Sequence, residues 1–356
     1  MDKIYLAGLH WIWFTHKKLH RIFKEKQNYR EIFNNIDFNY LKNNLFQDKQ
    51  IETILDRYNN INISLLEKQL NDRSASIVTI YDDNYPNNLK NIFNVPFLFY
   101  LRWKIDNSAK ISIIGSRKIS HYWNKIIEWI IPDLVKYFTT VSGGAAWCDT
   151  KAHVETLNNN WKTISVLWTG IDQDYPIWNE KMFTEITEKW WWVISIFPIW
   201  EVWNPYNFPV RNEIVAWLSE WILVVEAREK SGSLITVKLW LDMWKDIFTV
   251  PWDIFKWGSV WTNNLIKRWE AKMITNSWEI LEEYNISNKN KIKNEKIKFA
   301  DELEEKIYNI LLLENLNIDE LSKKLKLNIS NVSFKLSMME INSLILKSNW
   351  GKYEIK

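Results

Sequence analysis

The sequence predicts an α/β fold in which a mostly parallel sheet lies between a small helical domain and a C-terminal winged-helix module. Three observations support this prediction. Between about residues 75 and 284, short β-rich runs alternate with amphipathic segments of about 10 to 15 residues, the spacing of βαβ units. Residues 1–72 show little strand pattern and are rich in Leu, Ile, Phe, Asn and Lys. Residues 299–356 show a pattern of three helices followed by two short strands.

The predicted elements divide the chain into four parts. Residues 1–72 form short helices, a helix-hairpin-helix or SAM-like domain, although the LAGLHWIWFTHKKLH stretch fits a plain helical turn equally well. The core, 75–284, contains predicted strands at 111–115, 139–143, 162–167, 193–197, 221–227 and 246–251. Predicted helices lie between them, at 123–138, 149–160, 175–188, 208–220 and 233–243. Residues 285–298, rich in Lys and Asn, form a basic linker before the winged-helix module.

Composition excludes several classes of protein. A single cysteine excludes a disulfide framework and a cysteine-rich zinc site. The N-terminus lacks the pattern of a secretion signal, and no apolar run is long enough to cross a bilayer, so we expect a cytoplasmic protein without a membrane partner. The net charge of +3 is too small to indicate a partner.

Glycine and tryptophan usage is unusual. The chain has 24 Trp and only 8 Gly among 356 residues, or 2.2% glycine, against an average of about 7%. Several tryptophans stand at predicted turns and strand ends, where glycine is favoured: Trp147, Trp168, Trp252, Trp257, Trp261 and the run 190–192. Together the two residue types make 9.0% of the chain (8 + 24 = 32 of 356). We interpret most or all of these tryptophans as glycines encoded by UGA, which some bacteria read as glycine. The alternative is a tryptophan-rich protein that stacks bases or sugars.

With those positions read as glycine, the core resembles the DNA-processing protein A (DprA/Smf) family. The matching stretches, in order over about 200 residues, are IIGSRKIS (113–120), VSGGAAWCDTKAH (141–153), WKTISVLWTGIDQDYPIWN (161–179), FPVRNEIVAWLS (208–219), LVVEAREKSGSLITVKLWLDMWKDIFTVPWD (223–253) and WGSVWTNNLIKRWEA (257–271). The resemblance implies an extended Rossmann-like domain that binds single-stranded DNA and loads a RecA-type recombinase. It also implies a homodimer that protects incoming strands during natural transformation.

The residues themselves predict a phosphate site at one edge of the sheet. Gly115, Ser116 and Arg117 follow the first core strand, while Ser142 and Gly143 end the next. Ser231, Gly232 and Ser233 open a later helix. Backbone N–H groups and an arginine at such positions bind phosphate well. Arg211 and Arg228 also stand beside predicted strand ends in a chain with nine Arg and 37 Lys. The open alternative is that Arg211 pairs with an internal carboxylate.

The resemblance adds roles for individual residues. It implies that Arg117 binds the DNA backbone, that Asn212 makes a polar contact to DNA, and that Lys181 lies in a region where relatives carry a DNA-contacting lysine. Two positions depart from the family pattern: Glu213 replaces a basic residue and Ile196 replaces an acidic one.

Enzyme motifs are incomplete. Residues 161–163 precede a strand and so do not form a Walker A loop. Ser142, Asp149 and His153 do not suggest a catalytic triad, because Asp149 fits a helix N-cap better. We therefore expect no catalytic residues, metal or cofactor. Two alternatives stay open: a Rossmann-like nucleotide phosphoribohydrolase, for which SGSLITVKL (231–239) is the closest motif, and a duplex-binding regulator.

The C-terminal module indicates protein contact. Residues 318–325 and 328–341 fit a helix-turn-helix, with Trp350 and Gly351 turning the wing. Residues 301–356 carry 8 Lys and 9 acids, a net charge of −1. A duplex-reading domain is usually basic, so this end fits a protein partner better.

Overall fold

The structure, a computed structural model, describes most of the chain. It leaves out residues 1, 24–27, 45, 104–107, 116–119, 190, 226–231, 257–259, 285, 287–298, 313, 343, 349–350 and 356, and the side chains of 231–236. The chain divides into two compact units, residues 1–286 and 287–356. The division falls within the predicted linker.

The first unit contains one mixed sheet. Nine strands are described in it: β1 (Ala75–Thr79), β2 (Leu98–Arg102), β3 (Lys110–Ile114), β4 (Thr139–Ser142), β5 (Thr163–Val166), β6 (Trp192–Ser195), β7 (Trp221–Val224), β8 (Ile247–Thr249) and β9 (Lys272–Met273). Their order is β1-β2-β6-β5-β4-β3-β7-β8-β9. The seven strands from β6 to β9 are parallel, while β1 and β2 add an antiparallel edge. Six of the nine strands lie where the sequence predicts them, whereas β1, β2 and β9 were not predicted individually.

Helices cover both faces of this sheet. One face carries α7 (His121–Leu134), α8 (Cys148–Asn158), α9 (Glu180–Glu188) and α13 (Trp278–Glu283), and the other carries α10 (Asn207–Leu218), α11 (Gly232–Asp242) and α12 (Val260–Lys267). Alternation along the strands fills both layers: Ile111 and Ile113 face α7, while Ser112 faces α10 and donates to the carbonyl of Val215. The result is a three-layer α/β/α core.

The N-terminal helices pack on the same face as α9. They are α1 (Lys3–Trp11), α2 (His16–Ile22), α3 (Tyr29–Asn34), α4 (Phe38–Asn43), α5 (Asp48–Asn60) and α6 (Ile63–Asp72), and they share a hydrophobic core with α9 and β6. Three histidines add polar contacts across this boundary. His10 Nδ1 lies 3.1 Å from the Tyr100 hydroxyl, and His16 and His20 bond the carbonyls of Ile196 and Val95 at 3.0 and 2.9 Å.

The second unit has its own small core. It consists of α14 (Glu302–Leu311), α15 (Ile318–Leu325), α16 (Ile329–Ile341) and the antiparallel strands β10 (Ile345–Lys347) and β11 (Tyr353–Ile355). The side chains of Leu321, Val332 and Leu336 are completely buried. Asn317 caps α15 with a capping box closed by Glu320.

Tryptophan occupies many left-handed backbone positions. Of the nine described non-glycine residues at positive φ, six are Trp: Trp13, Trp103, Trp147, Trp200, Trp244 and Trp269. Trp244 and Trp269 follow the ends of α11 and α12, where glycine is the usual residue. An L-residue with a Cβ is strained in this conformation, so these six positions have the geometry that glycine serves best.

Candidate nucleic-acid interface

The carboxyl ends of β4, β3 and β7 lie side by side. Strand β3 pairs with β4 on one side and with β7 on the other. From β3 the chain builds β4, β5 and β6 in one direction, and it then returns to place β7 beside β3. Such a reversal leaves a crevice outside the carboxyl ends of the strands, which is where open α/β sheets bind ligands.

Three predicted segments lie at this reversal. Gly115 directly follows β3, Ser142 ends β4 and Gly143 follows it, and α11 begins at Gly232 after β7. Ser233 is the second residue of α11. Ser116, Arg117, Arg228 and Ser231 lie outside the described residues. By chain connectivity Arg117 is the third residue after the end of β3, so it follows a strand that borders the crevice.

The loop after β4 is fixed by buried polar contacts. The Ser142 hydroxyl donates to the carbonyl of Ile113 at 2.7 Å, which joins β4 to β3. The Asp149 carboxylate accepts the backbone N–H of Ala145 at 3.1 Å. The N-cap residue of α8 is Trp147, at φ +77°, and Asp149 is the second helical residue. The predicted N-cap role of Asp149 is therefore wrong, because its carboxylate reaches back to the loop and holds it against the helix.

Arg211 lies directly over Gly143. Its side chain, on α10, is only 2% exposed, and a Cβ on Gly143 would fall 0.9 Å from Arg211 Nη1. That nitrogen is 3.7 Å from Asp149 Oδ2, and the guanidinium lies 5.0 Å from the Phe208 ring centroid. The internal ion pair that the sequence left as an alternative is the arrangement found here. Contact of Arg211 with DNA remains a prediction.

Burial governs the ionisation of this cluster. Burial raises the pKa of Asp149, while the Arg211 guanidinium and the N–H groups of Ala145 and Gly143 act in the opposite direction. Burial and the nearby Arg211 charge lower the pKa of His153 to about 3, and its Nδ1 lies 2.6 Å from the Thr163 hydroxyl. The Ser142 hydroxyl thus bonds to the carbonyl of Ile113, and the His153 ring bonds to the Thr163 hydroxyl. Both side chains make contacts within the core of the fold.

Two further predicted residues lie near this edge in different settings. Lys181, the second residue of α9, is exposed, whereas Asn212 is 5% exposed beside Arg211 on α10. One residue was missed by the sequence analysis: Asn179, whose Nδ2 donates to the carbonyl of Gly144 at 3.1 Å and to the Thr150 hydroxyl at 2.8 Å. It links the loop after β5 to the loop after β4. Its place in the YPxxN stretch was the available signal.

The described parts of the chain lack two other kinds of feature. No cluster of three or more His, Cys, Asp or Glu side chains is arranged to hold a metal ion there. Across the same residues, no helix is both long and apolar enough to span a bilayer.

The fold and this edge define an α/β protein with a mostly parallel sheet and a ligand crevice at the strand reversal. The family model described as DNA recombination-mediator protein A matches residues 76–285, more than half of the chain. The chain belongs to this family. The family resemblance predicted from the sequence is confirmed.

Individual relatives agree with this assignment. The chain is 33% identical over 232 residues to DNA processing protein DprA of Streptococcus pneumoniae, covering 65% of this chain and 81% of that protein. It is 34% identical over 213 residues to Protein Smf of a Synechocystis strain, covering 58% of this chain and 53% of that protein.

Solved structures confirm the α/β fold. The X-ray structure of DprA from Streptococcus pneumoniae superposes with a TM-score of 0.66 at 28% identity, covering 79% of this chain and 97% of that one. A structure of DNA processing protein A from Helicobacter pylori, concerned with that protein's single-stranded DNA binding mode, gives a TM-score of 0.54 at 24% identity. It covers 60% of this chain and 96% of its own, and it shows likeness of fold.

Proposed function

We propose that this chain binds single-stranded DNA along the carboxyl edge of β4, β3 and β7. The observation that carries this proposal is that Gly115, Gly143 and the start of α11 follow three neighbouring strands at the strand reversal. The backbone at Gly115 is partly exposed and so open to a phosphate, and a helix N-terminus favours an anion. The Helicobacter pylori relative, whose single-stranded DNA binding is described, supports the same ligand here.

Arg117 would supply the main charged contact in this site. A guanidinium holds a phosphate through paired hydrogen bonds, which a lysine cannot do. Exposed Lys181 would add a point charge at the β5 side of the edge. Arg211 would support the site by fixing the loop after β4, since its guanidinium fills the space next to Gly143. Binding of this kind depends on the DNA backbone and therefore weakens as salt rises.

The wider role follows from family membership. The family description, DNA recombination-mediator protein A, supports a protein that protects a single strand and loads a RecA-type recombinase onto it during DNA uptake and recombination. This work needs no bond to be broken, so we propose a non-catalytic protein. We also propose that it is cytoplasmic and, from the family resemblance alone, that it acts as a homodimer. The three helices and two strands of the second unit support a winged-helix module, with a net charge of −1 over 301–356 that favours a protein partner.

We also propose that the natural protein has glycine at most or all of its 24 tryptophan positions. Six of these tryptophans stand at positive φ, the conformation that glycine adopts without strain. The natural protein would then be roughly 3 kDa lighter than a chain carrying 24 indoles. An intact mass within a few daltons of the tryptophan form would overturn this part of the proposal.

The binding proposal is tested by fluorescence anisotropy with a labelled single-stranded oligonucleotide and an unlabelled duplex competitor. The wild-type protein should bind the labelled single strand and keep it bound in the presence of the duplex competitor. Arg117→Ala should weaken single-strand binding. Arg268→Ala is the matched control, because Arg268 is exposed after α12 at the amino end of the sheet. Duplex preference, or equal effects of the two substitutions, would refute the site.

A further inference from the structure

Two exposed aromatic rings flank the crevice. Tyr206 follows β6 and is 84% exposed, and Phe255 follows β8 and is 86% exposed. Both residues come after the carboxyl ends of parallel strands, so they lie at the same edge of the sheet as Gly115 and Gly143. They lie on opposite sides of it, because β5, β4, β3 and β7 separate β6 from β8.

Both rings are presented in the same way. The Asn204 side chain accepts the backbone N–H of Tyr206 at 3.0 Å, and the Asp253 side chain accepts that of Phe255 at 2.9 Å. These are local turns in which an Asn or Asp side chain fixes the backbone two residues on. Neither ring contacts another aromatic ring within the described parts of unit one. Each ring therefore has a face open to a planar ligand.

The spacing suits one extended ligand. Five inter-strand steps of about 4.8 Å separate β6 from β8, so the ends of these two strands lie about 24 Å apart along the edge. Tyr206 lies nearer to β5, because the next residue, Asn207, donates to the carbonyl of Trp168 after that strand. Exposed lysines also lie at this edge: Lys256 directly follows Phe255, and Lys181 is the second residue of α9, in the connection between β5 and β6. Aromatic rings with neighbouring cations are the usual platform for single-stranded nucleic acid, whose bases stack while its phosphates meet the charges.

We propose that Tyr206 and Phe255 are base-stacking residues at the two ends of one single-stranded DNA path. The path runs along the whole carboxyl edge, with phosphates at its centre near Gly115. This inference rests on the proposed single-strand binding and adds to it the residues that stack on the bases. Stacking is tolerant of sequence, which suits a protein that must bind any strand.

The test distinguishes protein contacts to the bases from protein contacts to the DNA backbone. Full-length protein is titrated by anisotropy with a labelled oligo(dT) and with an abasic oligonucleotide of the same length. Tyr206→Ala and Phe255→Ala should each weaken oligo(dT) binding roughly 5- to 150-fold, the range expected for one lost stack, and leave abasic binding unchanged. Tyr206→Trp and Phe255→Trp should restore oligo(dT) binding. Photo-crosslinking with 5-iodouracil oligonucleotides should label both positions.

Two matched controls keep the test specific. Tyr137, exposed before β4 at the amino end of the sheet, and Phe334, exposed on α16, should tolerate Ala without change in either titration. Equal losses on oligo(dT) and abasic DNA would overturn the stacking role while leaving single-strand binding intact. The same holds if the alanine variants bind oligo(dT) normally and instead lose self-association, which would make these rings a protein interface. If wild type binds neither ligand, the proposed function itself fails.

Discussion

Substituting Gly143 by alanine tests the structure of the site directly. A Cβ at this position would fall 0.9 Å from Arg211 Nη1 and 2.0 Å from its Cζ, so the guanidinium must leave its place. Arg211 is 2% exposed and lies against the Phe208 ring, so no solvent-facing position is available without opening α10. The displacement separates Arg211 from Asp149, which are now 3.7 Å apart.

The expected cost is about 3 kcal/mol in the free energy of unfolding. Breaking a buried ion pair costs about 3–5 kcal/mol, because one charge is left without its partner. The lower end applies here, since Asp149 keeps the N–H of Ala145 and its pKa is already raised by burial, so the carboxyl can take up a proton.

Urea unfolding of recombinant protein with tryptophan at all 24 positions, followed by tryptophan fluorescence, is the appropriate assay. Of the 24 tryptophans all but Trp350 lie within residues 1–286, so the signal reports on the unit that contains the site. In an Arg211→Met background, Gly143→Ala should cost less than ~1 kcal/mol, because the clash has gone. Gly351→Ala is the control: at φ +73° it strains the second unit alone, so it should leave this transition unchanged. Additive costs of Gly143→Ala and Arg211→Met would refute the reasoning.

Three further predictions concern other parts of the first unit. Burial lowers the pKa of His16 from 6.5 to about 4, so the unfolded chain takes up this proton at a higher pH than the folded protein does. The free energy of unfolding therefore falls as pH drops between these two values, by up to ~1.4 kcal/mol per pH unit. His16→Gln should remove that part of the pH dependence in urea titrations, and an unchanged dependence would contradict the shift. Asp174→Asn should cost about 3 kcal/mol or more in the same assay, because Arg102, 4% exposed and 2.9 Å from Asp174, loses its counter-ion; a neutral result would show that the pair is not needed. Trp244→Gly should raise the free energy of unfolding by about 1 kcal/mol, because it removes left-handed backbone strain at φ +56°. Trp129→Gly, within α7, should lower the free energy of unfolding by at least ~0.5 kcal/mol. Effects of the same sign at both positions would refute the assignment of strain.

The parallel core was predictable because its signal is local. Runs such as ISII (111–114) and ILV (222–224) are buried on both faces, and each is followed by a helix at the usual spacing. The edge strands β1 and β2 escaped prediction because they pair antiparallel with each other and with β6. Their connection is a loop with a short 3-10 helix at Asn87–Asn91, which lacks the β-helix-β alternation.

The site was predictable only in part. Sequence position places Gly115 and Gly143 after adjacent strands, because strand ends share one edge of a parallel sheet. It could not decide whether Arg211 faces a phosphate or Asp149, since that depends on how the first turns of α10 and α8, on opposite faces of the sheet, approach each other at the carboxyl edge. The linking role of Asn179 depends likewise on the approach of two loops. Such contacts follow from tertiary packing, which a residue pattern does not contain.

The salt dependence of single-strand binding tests the central claim most directly. The slope of log K against log salt is about −0.7 per phosphate contact on a single strand. If the carboxyl edge binds the DNA backbone through Arg117, wild type should show a steep slope, and Arg117→Ala should reduce its magnitude by about 0.7. Arg268→Ala should keep the wild-type slope. A wild-type slope near zero, or an Arg117→Ala slope equal to that of wild type, would contradict a backbone-binding site at this edge.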